Sequence, residues 1–247
     1  MILTIARKEF RSLFATPGNW VILAALQFIF AWFFLARLDA YLQVQSQLAL
    51  IANAPGVTQS VAAPLFGTLA LVLMMLIPLF TMRLLAEERR NQTLVLLLAA
   101  PVSSRQIVLG KFLSLVFLCT LIIASGTLML TILDFGTQLD FGLLFANALG
   151  LWLLAANYAA LGLYFSALSK QPIVAAVSAI AVSFGLWLID IGSADSGNSL
   201  RTLSPSAHAQ NFNSGLIVSY DLIYFVLFSA TFLLLTIRRV NNNRLYS

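Results

Sequence analysis

The chain alternates long apolar runs with short polar interruptions. Six runs reach or approach the ~20 apolar residues a helix needs to cross a bilayer core of roughly 30 Å. They are Trp20–Ala36, Pro64–Met82, Phe112–Leu133, Phe141–Leu168, Pro172–Ile191 and Leu222–Ile237. The fourth is long enough to tilt or to run past the membrane. Pro64 and Pro172 stand at first turns, where the missing N–H is no loss. Pro78 lies inside the second run and predicts a kink there. The pattern predicts an all-α polytopic membrane protein, one six-span domain over residues 1–247.

The residues before the first run have a different period. On a wheel of about 100° per residue, Ile2, Leu3, Ala6, Phe10, Leu13 and Phe14 share one arc. Thr4, Arg7, Lys8, Arg11 and Ser12 cover the opposite arc, and Ile5 is the exception. This predicts an amphipathic interfacial helix over residues 1–18, ended by Pro17-Gly18. The first apolar run starts only at Trp20 and exceeds the ~7–15 residues of a signal-peptide core, so it is expected to stay as a span.

Composition agrees with the pattern. Hydrophobic residues make up 60% of the 247 and charged residues 9%, against about 25% charged in a soluble domain. Mean hydropathy is +0.93. These values exclude a water-soluble globular enzyme, a disordered chain and a fibrous repeat. The single cysteine, Cys119, excludes an internal disulfide and a multi-cysteine metal site. The net charge of +5 invites a nucleic-acid reading. The positions of the charges redirect it. With the N-terminus in the cytoplasm, 12 of the 14 basic residues fall in cytoplasmic segments, leaving only Arg37 and Arg201 outside. Of the acids, Glu9, Glu87 and Glu88 lie inside and the other six outside. The basic excess is therefore a topology signal, with both termini cytoplasmic, and no nucleic-acid partner is expected.

The span interiors hold no Asp, Glu, Lys, Arg or His. Ion-coupled transporters and pumps normally need an ionisable group in the membrane. Intramembrane enzymes need a nucleophile with a base, or a metal cluster. Cys119 is the only nucleophile with chemistry to spare, and no span supplies a histidine to face it. His208 lies in the outer loop, where a hydrogen-bonding or solvated role is expected. The mild polar groups, among them Gln27, Ser125, Asn147, Asn157 and Ser166, read as helix–helix hydrogen bonding. Ala146 and Gly150 allow close approach of another helix. Only Lys111 follows a glycine, and the phosphate-loop pattern fails there. No metal, cofactor or catalytic site is expected on this chain. If it drives uphill movement, the energy enters through another chain.

The segment Met82–Phe112 is the obvious entry point. Leu84–Leu98 is built from strong helix formers, with Glu87, Glu88, Arg89 and Arg90 clustered near its start. Ala99-Ala100-Pro101 should break that helix. Ser103 with Gln106 matches a capping box opening the next helix. The result would be a stiff handle over residues 83–111. In the outer loop, residues 192–220, Ser204-Pro205 looks like an N-cap and first turn, and Gly215 like a helix stop. Asp221 could cap the last span.

Here the residues carry a resemblance. E-E-R-R-x-x-T-L-x-L-L-L-x-A-P-V-S (Glu87–Ser103), followed by I-V-L-G-K-F (Ile107–Phe112), resembles the signature of permease subunits of ABC-2 type exporters. L-S-P-x-x-H (Leu203–His208), G-L-I (Gly215–Ile217), D-L-I-Y-F (Asp221–Phe225) and F-L-L-L-T (Phe232–Thr236) match the end of the same group. Within that superfamily the chain is most similar to the gliding-motility and nitrous-oxide-reductase-maturation permeases. It departs at Gln92, where the family often has Gly, and at Val95, where it often has Glu.

The resemblance implies a multi-pass protein of the bacterial plasma (inner) membrane. A second permease subunit, identical or related, would face it across a translocation path. Two copies of a cytoplasmic ABC ATPase would carry the ATP and Mg. Glu87, Glu88, Arg89 and Arg90 would pair with that ATPase, and Thr93, Leu94, Leu97 and Leu98 would add to the contact. The first helix, with Arg7, Lys8, Phe10 and Arg11, would act as a sliding elbow. The outer loop, with Ser204, Pro205, His208 and Asp221, would lid the exit, where a periplasmic accessory protein could join. The competing reading within this group is an ABC-type scaffold that transmits ATP-driven force to an envelope partner without moving a substrate. A secondary transporter or an intramembrane enzyme is disfavoured by the empty span interiors.

Overall fold

The computed structural model describes residues 1–48, 56–92, 102–135, 137–192 and 199–245. Among these, eight α-helices form: α1 (Ile2–Ala15), α2 (Pro17–Leu48), α3 (Ala63–Arg90), α4 (Ser104–Thr131), α5 (Phe141–Leu168), α6 (Pro172–Gly192), α7 (Pro205–Asn213) and α8 (Ser219–Leu245). All except α1 and α7 are long and apolar enough to cross a membrane. The all-α, six-span architecture is therefore as the sequence pattern predicts.

Several boundaries follow local chemistry. Ser103 opens α4 as a capping box: its Oγ accepts the Gln106 N–H, and Gln106 Oε1 accepts the Ser103 N–H. Two orphan donors are satisfied reciprocally. Asp140 caps α5 by accepting the Leu143 N–H at 3.0 Å. Pro17 and Gly18 do more than end α1; they form the first turn of α2, which starts before Trp20 and continues well past Ala36. A π-helical turn, Thr58–Ala62, leads into α3 ahead of Pro64.

One prediction is corrected. The helix expected over Leu84–Leu98 is not a separate unit. The second span continues unbroken as α3 through Arg90, and the chain turns at Asn91-Gln92. No Gly or Pro separates Met82 from Arg90, so no helix-breaking residue ends the span there. Gln92 stands at φ +58, in the left-handed region. That is the position where the resembled family often has Gly, which adopts this conformation without strain. Thr93, Leu94, Leu97, Leu98 and the break at Ala99-Ala100-Pro101 lie outside the described residues.

Helix α5 is the axis of the bundle, packed against α3, α4, α6, α7 and α8. Its inward face is mostly small: Ala146, Gly150, Ala155, Ala159, Ala160 and Gly162 are buried. A Cβ at Gly150 would overlap Phe212 of α7, and one at Gly162 would overlap Thr81 of α3. The Ala146–Gly150 spacing thus admits a helix, as expected, but the visitor is the short α7. Polar span residues bond between helices as read. Ser125 donates to Gln27, Trp152 to Thr120 and Ser229 to Asn157. Others, such as Thr127 and Ser178, return to their own backbone.

Candidate functional site

At the end of the bundle that holds α1, three helices are tied by one buried cation. Lys111, in the second turn of α4, is 1% exposed. Its Nζ donates to Glu88 Oε1 at 2.7 Å and to Glu9 Oε1 at 3.2 Å. Glu88 belongs to the last turn of α3 and Glu9 to α1. An ammonium this buried is tolerable only when paired and hydrogen-bonded. Two carboxylates supply that pairing and leave the cluster formally acidic. Next to it, Ser166 of α5 inserts into α3. Its Oγ accepts the Leu85 and Ala86 N–H groups and donates to the Met82 carbonyl.

Arg89 reaches from the same turn to the far end of α5. Its guanidinium donates to the Ala167 and Leu168 carbonyls, which the helix end leaves without intrahelical partners. Of the four clustered charges, Glu88 and Arg89 are therefore engaged inside the bundle. Glu87 and Arg90 are exposed. They border a cleft of about 930 Å³ that Arg83, Arg89 and Lys170 also line. A second cleft, about 440 Å³, lies between the α1–α2 junction and the end of α3, with Glu9, Ser12, Asn19 and Glu87 in its wall.

Helix α1 packs along the start of α4. Arg7, Lys8 and Arg11 are exposed, as the wheel predicts, and Phe10 is half-buried against Phe14, ring centroids 4.8 Å apart. The buried stripe is rotated from the predicted arc. Leu3 is exposed, whereas Ile5 packs so closely on Gly110 that a Cβ there would lie 2.7 Å from Ile5 Cγ2. Ile2, Ile5, Ala6, Glu9 and Leu13 follow the helical spacing of the packed face. Glu9 falling in that stripe was the available signal for a buried partner, and sequence reasoning missed it along with Lys111.

The opposite end holds α7. Ser204 sits at its N-cap in extended conformation without a side-chain cap bond, and Pro205 occupies its first turn. Gly215, at φ +85, follows the helix stop. His208 is buried: its Nδ1 lies 2.5 Å from Asp221 Oδ1 and its Nε2 2.9 Å from the Thr202 carbonyl. Its ring stacks on Tyr224 with centroids 3.9 Å apart. Asp221 does not cap α8; its second oxygen accepts from Asn211 at 2.9 Å. Nearby, Arg201 and Gln210 donate to the two oxygens of Asp190 at 3.1 and 2.8 Å, and Arg201 also donates to Gln210. These bonds pin α7 to α6 and α8.

A family model described as ABC-2 family transporter protein matches residues 3–237, nearly the whole chain. The chain belongs to this family. No curated protein matches it. Family membership makes the chain a multi-pass membrane permease component of an ABC exporter. Such proteins are not themselves enzymes; they work with an ABC ATPase and as a dimer in the membrane. Six of its helices are long and apolar enough to cross that membrane.

Proposed function

We infer that this chain is one permease subunit of an exporter of the gliding-motility and nitrous-oxide-reductase-maturation group. In this reading the α1 end is cytoplasmic, as the clustering of basic residues there favours. Two copies of an ATPase, holding ATP and Mg, dock at that end, and a second permease, identical or related, completes the path. The observation that carries the reading is the exposed pair Glu87 and Arg90 at the last turn of α3, beside a charged cleft. Thr93, Leu94, Leu97 and Leu98 continue the same contact. Glu88 and Arg89 serve it indirectly, by fixing the α3 end to α1, α4 and α5.

ATP binding would move the docked ATPases and, through the α3 end, rock the helices between two packings. Helix α1, attached to the same cluster, would move with them as the elbow. At the α7 end, Ser204, Pro205, His208 and Asp221 would hold the exit closed until that motion. The test is copurification with an ATPase encoded beside this chain. The double substitution Glu87→Lys with Arg90→Glu should abolish the complex while leaving the permease folded. A complex that survives with unchanged ATPase activity would rule the docking site out.

A further inference from the structure

The cleft of about 930 Å³ at the end of α3 carries uncompensated charge. Arg83, Arg89, Arg90 and Lys170 line it against a single carboxylate, Glu87. None of these cations makes an ion pair among the described residues. Arg89 donates to the Ala167 and Leu168 carbonyls, which carry no net charge to cancel its own. The other two acidic residues of this end, Glu9 and Glu88, are bonded to Lys111. Thr93–Pro101, which follow the cleft in the chain, contain no Asp or Glu. Helix α6 starts in the cleft wall, at Pro172, so the positive end of its dipole adds to the field. The cleft therefore offers cations to an anion supplied from outside the chain.

Depth and surroundings identify the anion. Arg83 is the first charge after the apolar run Pro64–Met82, and Lys170 stands two residues before the run that begins at Pro172. Both are exposed, at the level where apolar helices meet lipid headgroups. Ile173, which also lines the cleft, is 73% exposed and opens a stripe with Val177, Phe184 and Leu188 on one face of α6. That helix is long and apolar enough to cross a membrane, so the stripe leads from the charged cleft into the hydrocarbon. A phospholipid joins the two chemistries in one molecule, whereas a soluble phosphate supplies only the charge. We propose that the cleft is a binding site for an anionic phospholipid, its phosphate held by Arg83 and Lys170 and one acyl chain laid along the α6 stripe. Arg83 and Lys170 take no part in the proposed ATPase docking, and lipid binding requires no ATPase. The two readings therefore fail separately.

The full chain, in a neutral maltoside detergent without any ATPase, is titrated with lipid, and bound lipid is read by native mass spectrometry. Dioleoylphosphatidylglycerol should bind about tenfold more tightly than dioleoylphosphatidylcholine, because surface cations attract the net charge that the zwitterion lacks. Arg83→Gln with Lys170→Gln should abolish that preference. Arg7→Gln with Arg105→Gln removes the same charge from exposed positions outside the cleft and should keep it. Thermal melts of both double variants confirm that they stay folded, and Lys170→Glu alone should weaken the preference in the same direction. Glycerol 3-phosphate at millimolar concentration should leave the bound lipid in place, since it has no chain for the stripe. Equal affinity for the two lipids, a preference that survives loss of Arg83 and Lys170 or falls equally in the Arg7 and Arg105 variant, or displacement by glycerol 3-phosphate overturns the assignment.

Discussion

Lys111 and Glu88 meet at 2.7 Å with the ammonium 1% exposed, although one opens α4 and the other closes α3. This pair, extended to Glu9, joins the end of a span to the N-terminal helix. Removing the cation takes from two neighbouring carboxylates the ammonium that both of them bond. Lys111→Met should therefore destabilise the protein by about 3–5 kcal/mol, the usual cost of stranding a buried charge. Glu9→Gln should cost less, because Glu88 still pairs with Lys111. Thermal unfolding of both variants in the same detergent checks the ranking; equal melting temperatures would show that the pair is not what holds the three ends together.

Gly150 is required by Phe212. Gly150→Ala places a methyl into the Phe212 side chain close to its backbone, where α7 has little room to retreat. We expect a loss of about 1–3 kcal/mol, typical of overpacking. Gly185, with nothing within 4 Å, is the control: Gly185→Ala should be neutral or slightly stabilising. Parallel unfolding curves for the two variants make the comparison.

Gln92 holds a left-handed backbone that glycine adopts freely. Gln92→Gly should be tolerated and stabilise the turn by up to about 1 kcal/mol. Gln92→Val should destabilise by about 1–2 kcal/mol, because a β-branched side chain fits this conformation worst. The opposite order in a thermal melt would refute the strained-turn account.

The His208–Asp221 contact anchors α7 to α8. Asp221→Ala removes acceptors from both His208 and Asn211 in a buried setting. Each stranded donor costs about 1–3 kcal/mol. Amide hydrogen exchange in residues 205–213 should accelerate by one to three orders of magnitude, with the centre of α5 unaffected. Uniform acceleration across the bundle would mean that the contact supports the global fold rather than α7 alone.

The predictions differ in how far they could be read from the chain. The six spans, the Ser103–Gln106 box and the Ser204-Pro205 start of α7 are local facts. Hydropathy over about 20 residues decides the spans, cap chemistry over four residues the Ser103 box, and a proline in the first turn the start of α7. The exposed faces of Arg7, Lys8 and Arg11 follow from helical period alone. The E-E-R-R cluster was also visible, but its division of labour was not. Glu88 turns inward because Lys111 waits 23 residues away, and Glu9 joins them from 102 residues away. Ser166 reaches α3 across a separation of about 80 residues. Hydropathy and periodicity rank a residue by its neighbours in sequence. They carry no term for which helix ends converge in space. The sequence by itself therefore determined that this is a six-helix membrane protein with its densest charge cluster at Glu87–Arg90. Only the tertiary structure decided which charges stay free for a partner, because burial and pairing are properties of the packed bundle.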